Sequence, residues 1–410
     1  MSWDPDYRPR LRSVEPFAVP AGESSPDSRG LQVGLRDPSG LSNVVLTVSR
    51  PALGLLALMD GRRCCAEIRD EFLQTYGQPV STDTVAGMID HLRDALFLED
   101  ETFERFYETR LQEYREHGIR EMPHAEALGL GSDAVHFLDG ILLRSAPVST
   151  TGEVVGVVAP HLDYPRGEPC YAAAYGALRG RQAPDRVVIL GTNHFGRSTS
   201  VVATANDFNT PLGATSTDVG FLERVEARCG NLRTFELDHV REHSVELQVA
   251  FLQQLFGAAS FKMVPILCPD PCGEAWAKED GNGGVPLGDF VNALRDAVEQ
   301  DPCDTLIVAG ADLSHVGESF GDERTLDDGF LEQVRRRDAH ALDCLINQGS
   351  EAFVDAVSHE NNPTRVCSTG CISVLAAVLS EAKPHLLRYH QTVDHESQTC
   401  VTCAALAYTR

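Results

Sequence analysis

The sequence predicts an α/β protein in which helices cover both faces of a mixed, largely parallel sheet, preceded by a small winged-helix-like α+β domain. Three observations carry that reading. From about residue 140 onward, Val/Ile/Leu-rich runs of strand length alternate with longer helix-like stretches. Those runs are apolar throughout instead of alternating with polar residues, as strands buried on both faces are. Before residue 103 the texture differs, with short amphipathic helices following one β-like run.

Length and composition support two domains: 410 residues, 42% of them hydrophobic, can bury a substantial core. A formal charge of −25 and a pI near 4.9 argue against nucleic acid or an anionic membrane surface as partner, since both demand clustered Lys and Arg. The N-terminus "MSWDPDYRPRLRSVEPF" has no apolar run of signal-peptide type, and "CISVLAAVL" is too short to span a bilayer, so a soluble cytoplasmic protein is expected. Twelve cysteines diluted through so long a chain read as reduced thiols rather than a disulfide framework.

Residues 1–42, rich in Pro, Gly, Ser and charge, read as a flexible arm. Within 43–102, "NVVLTVSRPALGLLALMDGRRCCAEIRDEF" gives a β-like run, an apolar helix, the turn "DGRR" and a helix with Ile68 and Phe72 on one face. "STDTVAGMIDHLRDALFLED" adds a third helix, with Ser81 as N-cap and Val85, Ile89, Leu92 and Leu96 at helical spacing. The charged segment beginning "ETFERFYETRLQEYREHG" makes 103–139 a linker helix. From 140 to 410, "EVVGVVAP", "DRVVILGTN", "FKMVPILCP" and "DTLIVAGADLS" are strands, separated by the helices "CYAAAYGALRG", "HSVELQVAFLQQLF" and "LGDFVNALRDAVEQ". "HLLRYHQTV" and "CVTCAALAYTR" are two further strands, and "EDGNGGVP" is a loop.

Ligands of open α/β sheets bind beyond the carboxyl ends of the strands. His161 ends "GVVAPH", His194 ends "VVILGTNH" and His315 ends "LIVAGADLSH". A single strand-end histidine is more often a satisfied polar residue than a ligand. Three in the same kind of position make a metal site the better reading, because imidazole is the commonest protein ligand and a site needs several donors from separate elements. In "RVCSTGCISVLAAVL", Cys367 precedes a helix beginning near Thr369 or Gly370, where the helix dipole favours a thiolate. Cys371 competes for that role but reads better as a buried thiol. "DHVREHSVELQVAF" sets His243 near a helix start with Glu246 three residues on, one face that can support a site, while His239 reads equally as a loop residue. Asp312 and His315 flank a turn in "GADLSH", where a carboxylate beside an imidazole tunes a general base. "CVTC" lies in a strand pattern, "CPDPC" has the wrong spacing for zinc, and "LGLGSD" lacks the GK[ST] of a phosphate loop.

Two resemblances follow from these residues. "LLALMDGRRCCAEI" and "VAGMIDHLRDALFLE" resemble PqqD-like winged-helix modules, which implies capture of a peptide or partner protein. "VAPHLDYPRG", "ILGTNHFG", "EHSVELQVAFLQ", "AGADLSHVG" and "VCSTGCISV" occur in the order and spacing of the Memo family, close to the AmmeMemoRadiSam system protein B group. That family is similar in fold to class III extradiol dioxygenases. The resemblance implies His161, His194 and Cys367 as metal ligands, His315 as acid/base, and Asp312 and His243 lining the pocket. A cysteine in place of the third, carboxylate ligand of the dioxygenases softens the site toward iron or copper, with zinc also compatible. It further implies a radical SAM enzyme and an AMMECR1-like protein as associates. The family's "PHAGY" reads "PHLDY" here, so Asp163 stands beside the first ligand, either supporting it or restricting substrate, and Asn193 is a second polar variant.

Three functions compete: a redox or oxygen-dependent metalloprotein, a peptide- or partner-binding module with a structural or vestigial metal, and a metal-dependent hydrolase. The first is preferred. A helix-start thiolate is an odd choice for hydrolysis, and the missing carboxylate disfavours ring cleavage.

Overall fold

The computed structural model describes residue 4 and residues 6–19, 32–123, 125–126, 130–144, 152–272 and 284–410. Most of the "EDGNGGVP" loop lies outside the described residues, as do the first residues of "LGLGSD". The chain divides into two compact units, Met1–Glu116 and His117–Arg410.

In the N-terminal unit, β1 (Glu15–Ala18), β2 (Gln32–Arg36) and β3 (Leu46–Ser49) pair antiparallel in that order. Helices α1 (Ala52–Ala57), α2 (Cys65–Tyr76), α3 (Thr82–Asp94) and α4 (Glu101–His117) follow. Ile68 and Phe72 of α2 and Val85, Ile89 and Leu92 of α3 are buried, which is the i, i+4 stripe read from the sequence. Ser81 caps α3 by accepting the Thr84 amide at 3.0 Å, and α2 stops at Gly77, whose φ of 67° suits a residue without Cβ. The stretch expected to be a flexible arm supplies β1 and β2. Strands of four and five residues carry too little periodicity to be read from sequence, because they are defined by pairing with distant chain. The expected linker helix over 103–139 is α4, which begins at Glu101, and the chain leaves it at His117 for other elements.

The C-terminal unit is built on a mixed eight-stranded sheet. Its strands are β5 (Val154–Ala159), β6 (Arg186–Thr192), β7 (Val202–Ala203), β10 (Lys262–Cys268), β11 (Thr305–Gly310), β12 (Asp312–Gly317), β13 (Lys383–Asp394) and β14 (Thr399–Thr409). A separate small sheet joins β4 (Ile119–Glu121), β8 (Asp207–Thr210) and β9 (Gly213–Thr215). Strands β5, β11, β6 and β10 are adjacent and parallel, as their uninterrupted Val/Ile/Leu runs require. Helices α5 (Ala134–Leu143), α6 (Tyr164–Gly176) and α8 (Glu246–Phe256) pack on one face. On the other lie α7 (Val219–Cys229), α9 (Leu287–Gln300) and α12 (Thr369–Val378), joined by the pair α10 (Asp328–Gln348) and α11 (Ser350–Ser358). Tyr171, Tyr175 and Phe251 stack where α6 meets α8, with centroids 4.5 to 4.9 Å apart between Phe251 and the two tyrosines. Among the described residues no helix is long and apolar enough to cross a membrane, and all twelve cysteines are free thiols.

One edge of β14 is covered by β13 along its length, and the other pairs first with β12 and then with β5. Strand β12 therefore lies in line with β5, just past its carboxyl end. This corrects two sequence expectations: Asp312 and His315 stand on a strand instead of flanking a turn, and His315 does not end β11, which stops at Gly310. The sequence pattern runs from β11 into β12 almost without a break, and only pairing with β14 separates them.

Two glycines allow a close approach at the same end of the sheet. A Cβ at Gly191 of β6 would collide with the Ser244 hydroxyl and Val245, and one at Gly310 of β11 with the Ser244 carbonyl and Gln248. The segment entering α8 thus rests directly on the strand ends. Gly310→Ala is expected to destabilise by about 1–3 kcal/mol through overpacking, read as a lower thermal midpoint. Gly87→Ala, in α3 with nothing within 4 Å of its added methyl, is expected to stabilise by up to about 1 kcal/mol.

Candidate metal centre

The parallel strands stop, and their polar residues converge. His161 lies two residues past β5 and is 3% exposed; His194 lies two residues past β6; Cys367 stands two residues ahead of α12. Ligand atoms of the three fall within 4.8 Å of one another. His161 Nε2 is 3.6 Å from Cys367 Sγ, and the His161 and His194 rings are nearly perpendicular with centroids 4.8 Å apart. His243 stacks on His194 at 5.3 Å and meets His161 edge-on at 5.4 Å. Asp312 accepts the His161 backbone amide at 3.1 Å through one oxygen and sets the other 3.5 Å from His161 Nε2. His315 has its Nδ1 3.0 Å from the Leu313 carbonyl and its ring against Phe320, and its charge acts on Cys367. All six residues singled out from the sequence are therefore at one end of the sheet.

Two important residues were not found that way. Glu242, 2% exposed, is the carboxylate that serves the histidines. Its oxygens lie 3.0 and 3.1 Å from His194 Nδ1 and also accept the backbone amides of His194, His243 and Ser244 at 2.9 to 3.0 Å. Glu246, which the helical spacing favoured, instead pairs with buried Arg120. Spacing on a helix face does not apply here, because α8 begins only at Glu246 and His243 precedes it in irregular chain. A carboxylate directly before His243 in "REHSVE" was the available signal for Glu242. Arg120 gave none, since it comes from β4 more than a hundred residues away. It donates to the His239 carbonyl at 2.9 Å and to the Glu242 carbonyl at 2.5 Å, and so anchors the segment that carries Glu242 and His243.

The other sequence candidates have structural roles. Asp163 is the N-cap of α6, accepting the Arg166 amide at 3.0 Å and pairing with its guanidinium. Asn193 donates to Asp238 at 2.9 Å and accepts the Gly196 amide at 3.0 Å, shaping the turn after His194. His239 is buried, and burial together with Arg120 pushes its imidazole down to about 3, so it stays neutral. Cys371 is buried with its Sγ 3.3 Å from the Thr192 hydroxyl, and burial drives its thiol well up. Cys400 and Cys403 lie in β14 as the strand pattern of "CVTC" predicts.

Charge is balanced inside the site. Burial opposes ionisation of His161, but Asp312 and Cys367 outweigh it and lift the imidazole to about 9. His194 is likewise raised against burial by Glu242 and Cys367. Burial also opposes the Cys367 thiolate, yet His161 and His315 hold the thiol well below its usual range. Glu242 is held low by His194 in spite of its burial, whereas burial raises Asp312. His243 goes the other way: burial, with two positive rings beside it, brings it down to about 4.

The donor set fits one transition-metal ion. His161 Nδ1 faces the Gly310 carbonyl at 3.0 Å and His194 Nδ1 faces Glu242, so the outer nitrogens are committed as N–H donors and each Nε2 is left for the ion. Two imidazoles and a thiolate suit iron, copper or zinc and do not suit magnesium or calcium. His194, Glu242 and His243 form a second convergent group, but using Glu242 there would remove the support of His194.

Glu242→Gln keeps the side-chain shape and removes the charge that orients His194; metal affinity measured by chelator competition is expected to fall about 10–100-fold. Arg120→Met leaves Glu246 and two carbonyls buried without their cation, with an expected loss of about 3–5 kcal/mol in denaturant unfolding.

The chain is similar to known proteins. The sequence model of the Memo family, described as Memo-like protein, matches residues 132–408. A MEMO1 family protein of Aquifex aeolicus is 26% identical over 344 residues, covering 81% of this chain and 83% of that one. A MEMO1 family protein of Thermus thermophilus is 28% identical over 361 residues, covering 85% and 99%, and that of Methanopyrus kandleri is 28% identical over 242 residues, covering 58% and 77%. The Thermus alignment takes in more of this chain than the C-terminal unit contains, and so reaches into the N-terminal unit. With its family match covering about two thirds of the sequence and every residue of the histidine and cysteine cluster, the chain belongs to the Memo family.

Proposed function

We propose that this chain holds a mononuclear iron or copper ion on His161, His194 and Cys367 and performs a redox or oxygen-dependent reaction at it. The observation that supports this most is a thiolate facing two imidazoles whose other nitrogens are already engaged. Iron or copper bound there supplies one-electron redox chemistry and Lewis acidity.

The protein's own groups divide the remaining work. Glu242 and the Gly310 carbonyl orient the two rings. Asp312, 3.5 Å from His161 Nε2, sets a carboxylate beside the centre that favours the charged form of that ring. His243 stays neutral at pH 7 and has its Nδ1 3.6 Å from Glu242, which leaves Nε2 as a proton acceptor. His315, on the strand that also carries Asp312, supplies the acid/base group on the Cys367 side.

Elemental analysis of anaerobically purified protein tests the reading. Wild type is expected to carry near-stoichiometric iron or copper, and His161→Ala, His194→Ala and Cys367→Ala each to lose it. Zinc alone, or metal retained in all three variants, would overturn the redox assignment, as would failure to consume oxygen with any reductant.

A pH dependence follows. Without metal, Asp312 and Cys367 hold the His161 proton up to about pH 9, Glu242 and Cys367 raise His194 as well, and these protons must leave for the ion to bind. Metal affinity is therefore expected to strengthen with rising pH between 6 and 8, by about tenfold per unit for each proton displaced. Proton release on titrating metal into weakly buffered protein measures the number directly.

A further inference from the structure

Strand β12 carries one residue too many for its pairing with β14. Asp312 stands opposite Cys403 and His315 opposite Val401, so three steps along β12 match two along β14, which makes a β-bulge between Asp312 and His315. In a regular strand, residues three apart point to opposite faces. Here both stand opposite residues of β14 that are two apart, and so they share a face. The bulge thus delivers both side chains to the same cluster: Asp312 reaches His161, and His315 bears on Cys367. It also sets the ring of His315, whose Nδ1 lies 3.0 Å from the carbonyl of Leu313 inside the bulge. A carbonyl only accepts, so Nδ1 carries the hydrogen and Nε2 of the neutral ring keeps a free lone pair.

What holds the bulge is a carboxylate from another element. Asp338 of α10 is 2% exposed and accepts from the hydroxyls of Ser314 at 2.6 Å, Thr402 at 2.6 Å and Tyr389 at 2.8 Å. An ionised carboxylate has no hydrogen to give, so the Thr402 hydrogen is committed to it and a Thr402 lone pair is left for the Ser314 amide, 2.9 Å away. Ser314 and Thr402 therefore lock β12 to β14 from the face opposite Asp312 and His315. Thr364, three residues before Cys367, rests on the same place: its hydroxyl is 2.8 Å from that of Ser314, and its carbonyl takes the His315 amide at 2.7 Å.

We propose that Asp338 is a positioning residue for this site: acting through Thr402 and Ser314, it maintains the bulge that places His315 beside Cys367 with Nε2 free to exchange protons. The inference rests on the reading of His315 as the acid/base group.

The test is nitrogen NMR of the metal-free, full-length protein labelled in its histidines, with His315 assigned from His315→Gln. The readout is the tautomer of the neutral His315 ring, which loss of stability alone would not move. Wild type is expected to hold the hydrogen on Nδ1. Asp338→Ala and Thr402→Val are expected to lose that form in favour of Nε2–H, the form free histidine prefers, whereas Thr402→Ser, which keeps the hydroxyl, retains it. Tyr389→Phe takes a donor from Asp338 but none from the bulge, and is expected to match wild type. An Nε2–H ring in wild type would overturn the inference, as would an Nδ1–H ring kept in both Asp338→Ala and Thr402→Val, or lost in Tyr389→Phe. Should Asp338→Ala fail to fold, Thr402→Val decides the matter, since it preserves the size of the side chain. The measurement needs neither metal nor turnover, so it is separate from the metal analysis; oxygen consumption unaltered in His315→Gln would count against the acid/base reading instead.

Discussion

A carboxylate buried without compensation cannot remain ionised, and the C-terminal unit is arranged around one that does. Glu242 is almost fully enclosed, yet His194 and the amides of His194, His243 and Ser244 satisfy both its oxygens. Each donor comes from a part of the chain that must be in place first. The His194 amide is fixed by the end of β6, and the amides of 243 and 244 by the turn into α8. The Glu242 backbone is itself held by Arg120. Placing one carboxylate thus fixes the ring of His194, the approach of α8 and the course of the loop between them.

Short hydroxyl contacts extend this arrangement across the strand ends. Ser244 accepts the Thr192 amide at 2.9 Å and donates to the Thr192 carbonyl at 3.2 Å, joining the start of α8 to the end of β6. Ser368 takes the Asp312 amide at 3.1 Å and lies 2.9 Å from the Thr192 hydroxyl, joining the start of α12 to β12 and β6. Gln248 reaches the Pro160 carbonyl at 2.8 Å, and Tyr175 donates to Gln248 at 2.7 Å, so α6 and α8 grip the end of β5 together. Packing and hydrogen bonds thus hold the rings of His161 and His194 and the start of α12, which is the support that a binding centre needs.

The electrostatic consequence is a site with separate tasks. His161 and His194 are kept basic by anions, Cys367 is kept acidic by cations, and His243 is kept neutral by burial beside two cationic rings. Neighbouring groups of the same chemical type are thereby held in different protonation states, the condition under which one pocket can bind an ion and also exchange protons.

Much of this was legible in the sequence. Uninterrupted apolar runs determined the parallel strands, helical stripes determined α2, α3 and α9, and the position of His161, His194 and Cys367 beside strand ends or a helix start marked them as candidates. Those signals are local, set by periodicity and by what a strand or helix terminus leaves unpaired. Only the tertiary structure decided that Asp312 and His315 stand on a strand, that Glu242 rather than Glu246 supports His194, and that Arg120 anchors them both. It also decided that Asp163 caps a helix. Each of these depends on groups brought together across tens to hundreds of residues, where the energy lies in pairing and desolvation instead of in any pattern along the chain.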